Sequence, residues 1–387
     1  MPSLAAAVAR VCRLRGSPKY DATCLQTGLE DSPADGRGVA GGRLLAWKRL
    51  VICLLQFLKG PGMTQQQVFG WTIGLACGCL AACAAVVFWV DPYFHYRAPD
   101  TKRFCYTLDN QRCQNYGIVR HFDYQALVTG SSMCENFRSS DVERLWGFKT
   151  VKVTFSGASF KEMRDLILRA KRSNPRLEMV IVGLDWNKIF MPKDWMRNDL
   201  GQFPEYLYDD CVLNDIKYLL NYDALKKSVM AVAHYGRGGI TSFDDFSYWH
   251  DENTKYGAAA GLVNTPEEIG VQQEFSPEIE RTVRENFEAN VVPIIKSVKK
   301  AYFFVTPYSA QRMRLWKRAG RYNVLMNCAA LIVREIARYP NARAFRFDDR
   351  ADIVENIDNY KDYDHYGPWI NKLILEEMRA SESTKQP

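Results

Sequence analysis

Three rhythms of apolar and polar positions succeed one another along the chain. Gly16 to Gly42 is rich in Gly, Ser, Pro and Asp and lacks apolar periodicity, the composition of a disordered segment. Leu44 to Leu58 is apolar but broken by Lys48 and Arg49 and too short to span, which predicts an amphipathic helix lying on a membrane face. Residues 1–62 are therefore expected to be disordered or interfacial. From Val68 to Val90 there is no charge at all, and the uncharged stretch reaches back to Gly60. A helix needs roughly 20 apolar residues to cross a bilayer's hydrocarbon core. Trp71 near one end and Trp89, Tyr93 and Phe94 at the other fit an aromatic belt at the two interfaces. The run is longer than a signal-peptide core, so residues 68–90 are expected to be an uncleaved anchor, with Met63 just before it an alternative start. Its small residues, Gly70, Gly74 and Gly78 among them, allow close packing on another membrane helix.

Beyond Asp91 and a juxtamembrane stretch to Tyr124, strand and helix patterns alternate. Ala126–Thr129 is a short apolar run. Ser139 or Ser140 can cap a helix through Trp146, and Val151, Val153 and Phe155 alternate as a strand. Met163, Leu166, Ile167 and Ala170 share one helical face, and Met179–Leu184 is continuously apolar, as in a parallel strand covered on both faces. A polar insertion rich in Tyr, Trp and Gly fills roughly 200–270. Thereafter 277–300 reads as helix, Ala301–Val305 as strand, 311–339 as largely helix and Ala344–Phe347 as strand; a last helix opens at Pro368, where a missing N–H costs nothing. Such alternation predicts an α/β domain over 91–380, with a parallel central sheet and helices on both faces. Ligands in such sheets bind beyond the carboxyl ends of the strands. Ser131 and Ser132, Phe155–Gly157, Asp185–Asn187, Thr306–Pro307 and Asp348–Asp349 are all expected on that rim.

Charge changes this picture little. A net charge of +7 is mild, and the basic residues are spread along the chain without the stripe that nucleic-acid binding needs. Basic residues immediately flanking the apolar run balance, but the wider N-terminal segment adds six more, which predicts a cytoplasmic N-terminus and a C-terminal domain outside the cell membrane. The eleven cysteines show no zinc or redox spacing, although Cys105 and Cys113 could close a small loop in an oxidising compartment. No metal site and no cofactor is expected. Gly236–Gly239 lacks the Lys and the preceding strand of a phosphate loop.

The candidate chemistry lies in two distant segments. Ser131 and Ser132 follow the first strand, and Asp362-Tyr-Asp-His365 precedes the last helix. A serine hydroxyl needs a base to take its proton; histidine titrates near neutrality, and a carboxylate fixes its tautomer. Asp-x-x-His in a turn can put both side chains on one side of the backbone, with Asp364 and Asp358 as rival orienters. Of five histidines, only His365 has an acid three residues before it and a helix after it. The plain alternative is a turn serine and a helix-capping histidine. Tyr206, Tyr208, Phe243, Phe246, Tyr248 and Trp249 either stack sugars beside the cleft or pack the insertion's own core.

Gly130-Ser131-Ser132, Phe155-Ser-Gly157-Ala-Ser159, Val182-Gly-Leu-Asp185 and Asp362-x-x-His365 resemble the ordered blocks of the SGNH (GDSL-like) hydrolase superfamily. Together with the Asp91-Pro-Tyr-Phe-His95 run after an anchor, they resemble its membrane-anchored bacterial members, which include teichoic-acid D-alanylation and exopolysaccharide O-acetylation proteins. The resemblance implies a three-layer α/β/α fold, a Ser132 nucleophile, a His365 base and an orienting Asp362. It implies an oxyanion hole from the backbone N–H groups of Ser132 and Gly157. The chain departs from the family at Ser131, where the signature has Asp, and at Asp185, where an oxyanion-hole Asn is usual; Asn187 is close enough to substitute. The implied activity is a serine esterase or O-acyltransferase on acyl esters of a cell-envelope glycan or teichoic-acid-like polymer, beside a multi-pass membrane O-acyltransferase. A non-catalytic accessory subunit is the alternative.

Overall fold

The computed structural model describes residues 64–197, 203–262 and 273–383. The segment at 1–62, with its expected amphipathic helix, and residues 198–202 and 263–272 of the insertion lie outside the described residues. The chain divides into two compact units, 1–81 and 82–387, and the division falls within the first described helix, α1 (Gln65–Val90). That helix is long and apolar enough to cross a membrane. It starts three residues before the uncharged run becomes continuously apolar because Thr64 and Gln67 cap it reciprocally. The Gln67 N–H donates to Thr64 Oγ1 at 3.3 Å and the Thr64 N–H to Gln67 Oε1 at 2.9 Å.

The second unit is α/β. Its elements run β1 (Cys105–Tyr106), α2 (Gln111–His121), β2 (Ala126–Thr129), α3 (Ser139–Trp146), β3 (Thr150–Lys152), α4 (Phe160–Ser173), β4 (Met179–Leu184) and α5 (Trp186–Ile189). There follow α6 (Tyr222–Ala233), β5 (Gly239–Ile240), α7 (Pro277–Asn286), α8 (Val292–Ser297), β6 (Lys300–Val305), α9 (Ala310–Arg318), α10 (Tyr322–Ile336), β7 (Ala342–Arg346) and α11 (Pro368–Ser383). The main sheet has the order β3-β2-β4-β6-β7 with every pair parallel. All residues of β2 and β4 are buried, which is why these strands read as unbroken apolar runs. Helix α3 packs on α11, whereas α4 packs against α2 and α8.

The order of strands locates the site. From β2 the chain crosses to β3 on one side, then returns past β2 to β4 on the other. Connections diverge between β2 and β4, and a crevice opens there beyond their carboxyl ends. Ser131–Ser132 leave β2 and Asp185 leaves β4 at that point.

Elsewhere the structure corrects the expected boundaries. The stretch 277–300 is interrupted by a π-turn at Phe287–Val291. Pro293 has no N–H to give the Ala289 carbonyl, and Arg164 Nη1 donates to that oxygen instead, at 3.2 Å. The stretch 311–339 breaks around Gly320, whose φ of +70° ends α9. Strand β7 starts two residues before the expected position because it takes its register from β6, Ala301 opposite Ala342, and tolerates Arg343 and Arg346 at the sheet edge. The juxtamembrane stretch contains α2 and β1, the latter paired in parallel with β5 outside the main sheet. Cys105 and Cys113 do not pair; both are free thiols.

Candidate active site

Strand β2 ends in a turn so tight that two glycines must make room for it. Gly130 has φ +153°, and a Cβ there would strike the Cys134 sulfur; a Cβ on Gly183 of β4 would strike the same atom. Cys134, fully buried, is thus seated between the two strands and draws the turn down onto the sheet. Ser131 caps that turn, its Oγ accepting from the Met133 N–H at 3.2 Å and its carbonyl from the Cys134 N–H at 2.9 Å. Ser132 opens the single 3-10 turn Ser132–Cys134 and stays half-buried. Lys152, fully buried on β3, donates to the Glu135 carbonyl at 2.5 Å and ties down the far end. Burial lowers its pKa to about 7.

The partner loop closes on itself just before α11. The Tyr360–Tyr366 bridge and bonds from the Lys361 N–H to the His365 carbonyl (3.0 Å) and from the Gly367 N–H to the Asn359 carbonyl (2.8 Å) shape it. Within it Asp362 Oδ1 accepts the backbone N–H groups of Asp364 (2.9 Å) and His365 (2.8 Å). That fixes the carboxylate beneath the ring, with Oδ2 2.8 Å from His365 Nδ1. The other ring nitrogen, Nε2, lies 2.8 Å from Ser132 Oγ, although 233 residues separate the two in sequence. With Nδ1–H donating to Asp362, Nε2 is left to accept the serine proton. Burial works against a charged imidazole, but the hydrogen bond and charge of Asp362 outweigh it and raise the His365 pKa above 6.5. Burial likewise works against the Asp362 carboxylate, yet its bonds to His365 bring its pKa down to about 2.

The rival orienters are engaged elsewhere. Asp364 takes a bidentate pair with Arg312 of α9, Nη2 to Oδ2 at 2.9 Å. Asp358 lies against Gly257. Trp249 sets its ring edge-on to His365, centroids 5.9 Å apart, with the Lys361 ammonium 3.6 Å from the indole centroid.

Gly157 takes φ +66°, and a Cβ there would run into the Arg197 side chain. Its loop is clamped by two neighbouring residues of α2. Gln111 Oε1 accepts from the Ser156 N–H at 2.7 Å, and Arg112 Nη2 donates to the Ser156 carbonyl at 3.2 Å. Among the described residues, no protein acceptor takes the backbone N–H of Ser132 or of Gly157. Two free N–H groups on neighbouring loops are what an oxyanion hole requires.

Asp185 and Asn187 part ways. Asp185 is buried at the end of β4, where burial raises its pKa to about 6 against the lowering effect of a bond from the Ser131 hydroxyl. Thr306 Oγ1 approaches it at 3.5 Å. Asn187 is exposed on α5, two residues further on. Asp348, expected on the rim, is spent on Arg346, whose Nη2 lies 2.6 Å from its Oδ2. The insertion's aromatics divide in the same way. Tyr208 and Phe246 are core residues, the Tyr208 hydroxyl donating to the Arg112 carbonyl at 2.7 Å, while Phe243 packs on Phe122 and Tyr206 is partly buried. Only Trp249 touches the His365 ring. His250 bonds the Tyr256 hydroxyl at 2.7 Å, and no cluster of metal-ligating side chains exists among the described residues.

Sequence reasoning missed Gln111, Arg112, Lys152 and Arg312, all of which hold the loops that carry Ser132, Gly157 and His365. A Gln-Arg pair opening a helix was their one visible signal, and it lay in a stretch without assigned elements.

Searches with family models and among curated proteins find no match. Among solved structures the chain is similar to one described as "a putative platelet activating factor from Streptococcus pneumonia", at 10% identity and a TM-score of 0.33 over 70% of this chain and 90% of that one.

Proposed function

We infer that this chain is a membrane-anchored serine esterase or O-acyltransferase of the SGNH type. The single observation that carries the reading is the continuous relay from Ser132 Oγ through His365 to Asp362, with both links at 2.8 Å. In the mechanism it supports, His365 Nε2 takes the hydroxyl proton as Ser132 Oγ attacks an acyl carbonyl. Asp362 stabilises the imidazolium that forms, and the N–H groups of Ser132 and Gly157 receive the developing oxyanion. Collapse expels the alcohol, which leaves with the proton from His365. Water or a second hydroxyl then attacks the acyl-serine in the reverse sequence. The reading extends to the substrate: acetyl or similar short acyl esters on a cell-envelope glycan or teichoic-acid-like polymer. It includes a multi-pass O-acyltransferase partner at the membrane, an extracytoplasmic domain and no nucleic-acid role. Supporting it is the apolar helix α1.

A second reading, a non-catalytic accessory subunit, is favoured by one observation. Asp185 holds a buried carboxyl where the family has an oxyanion-hole Asn, and an anion there repels the charge that develops in the reaction. Steady-state and burst kinetics with p-nitrophenyl acetate separate the two. The catalytic reading expects a burst stoichiometric with enzyme, faster turnover when a sugar hydroxyl competes with water, and neither in Ser132→Ala. Turnover that Ser132→Ala leaves intact rules it out.

A further inference from the structure

The catalytic loops leave unexplained a continuous apolar surface on the insertion. Helix α6 buries Ala224, Ser228 and Ala231 and turns Tyr222, Lys226, Val229, Met230 and Ala233 to solvent, with Tyr222 81% and Met230 51% exposed. Residues four and seven or eight apart share one helical face, so these five form a stripe opposite the core. The stripe continues at both ends. Ile216 and Leu220 are exposed just before the helix, and Tyr235 just after it. A soluble domain rarely exposes so many large apolar side chains side by side without covering them.

Two observations indicate the cover. Tyr235 packs against Trp89 and Phe104, rings 6.2 and 5.7 Å apart, and Trp89 sits in the last turn of α1, where the apolar run gives way to Asp91. The stripe is thus continuous with the point at which the chain leaves an apolar environment. The second observation is charge. Between Cys211 and Arg237 the exposed charged residues are Lys217, Lys226 and Arg237, while Asp223 keeps its carboxylate partly exposed and Asp210 lies just outside this stretch. Asp215 is buried on His95, and Asp223 is engaged by Tyr93 Oη at 2.7 Å and Asn110 at 3.3 Å. Apolar and aromatic side chains with lysines at the margin suit the boundary between acyl chains and anionic headgroups.

We propose that the face formed by Ile216, Leu220 and the exposed stripe of α6 through Tyr235 seats on the surface of an anionic lipid bilayer, so that the domain is held to the membrane at this face as well as by its anchor. This rests on reading α1 as membrane-spanning, and the experiment separates the two claims. The full chain is reconstituted in nanodiscs of mixed neutral and anionic phospholipid, with the photo-crosslinking residue p-benzoylphenylalanine at Met230 or, separately, at Leu75 within the span. Adducts are identified by mass spectrometry. The proposal expects phospholipid adducts at both positions. It also expects the Met230 adduct to fall about fivefold with Lys226→Gln, the factor a lysine near an anionic surface contributes, while the Leu75 adduct is unchanged. Lipid at Leu75 with none at Met230, or Met230 adducts made to a second copy or another protein, overturns the lipid seat and leaves the anchor standing. No lipid at Leu75 overturns the anchor and the seat with it.

Discussion

Among the described residues, two histidine–aspartate–hydroxyl clusters in the second unit differ in what the second ring nitrogen meets. At Ser132–His365–Asp362 the histidine bonds a carboxylate with one ring nitrogen and a half-buried serine hydroxyl with the other. At the end of α1, His95 Nε2 bonds Asp215 Oδ1 at 3.0 Å, while Tyr218 donates to Asp91 Oδ1 at 2.8 Å. Here everything is buried. His95 Nδ1 faces no hydroxyl, and the Asp91 carboxylate is consumed by the backbone N–H groups of His95, Tyr96 and Arg97 at 2.8–3.0 Å. The first cluster leaves a serine hydroxyl at the carboxyl ends of the strands. The second satisfies the donors of a sharp joint, where Asp91 and Phe94 both have positive φ. Residue types alone do not separate the two; access and the use made of each ring nitrogen do.

The comparison can be broken by substitution. Ser132→Ala is expected to lower acyl-ester turnover by about 10⁵–10⁶, the range lost when a triad nucleophile is removed, with the thermal midpoint unchanged because Ser132 Oγ bonds only His365. Asp362→Asn keeps the shape but loses the charge, and a fall of about 10⁴ in kcat is expected. Asp91→Ala should do the reverse. It strips a buried acceptor from three N–H groups and a tyrosine, for about 3–5 kcal/mol of stability in chemical denaturation, while turnover per folded molecule is preserved. If Asp91→Ala abolished turnover in protein that is still folded, the division between a chemical and a structural cluster would fail. Gly157→Ala should cost about 10²-fold in kcat with little change in KM, since φ +66° and the Arg197 side chain both oppose a Cβ.

The smallest effect is on pH. His365 must be neutral to accept a proton, and its pKa is raised, so activity is lost as pH falls through a value above 6.5. Removing the Asp362 charge takes away what raises that pKa, and the acidic limb of kcat/KM should move to lower pH in Asp362→Asn. A limb that stays in place would point to another titrating group. Asp185, at about 6, is the nearest such group.

The meeting of Ser132, His365 and Asp362 was legible in sequence because each residue rests on a local pattern. Ser132 follows an apolar run at a glycine, and the spacing Asp362 to His365 is set by one turn whose backbone N–H groups bond the same carboxylate. The parallel sheet was legible from its fully buried strands. What holds the site was not. Gln111 and Arg112 reach the Ser156 loop across 44–45 residues, and Arg312 reaches Asp364 across 52; such pairs carry no periodic signal. Two-residue strands such as β1 and β5 are too short to show alternation, and the π-turn at Phe287 follows from Pro293 together with Arg164 on another helix. The fate of Asp185 depends on burial, which composition does not reveal.

The account rests on Ser132 being a nucleophile that His365 activates, and covalent capture tests this most directly. Full-length protein treated with a fluorophosphonate probe at neutral pH is expected to carry one phosphonyl adduct, mapped by peptide mass spectrometry to Ser132, with labelling lost in Ser132→Ala and strongly slowed in His365→Ala. Native protein that stays unlabelled, or an adduct at another serine that persists in Ser132→Ala, would contradict it.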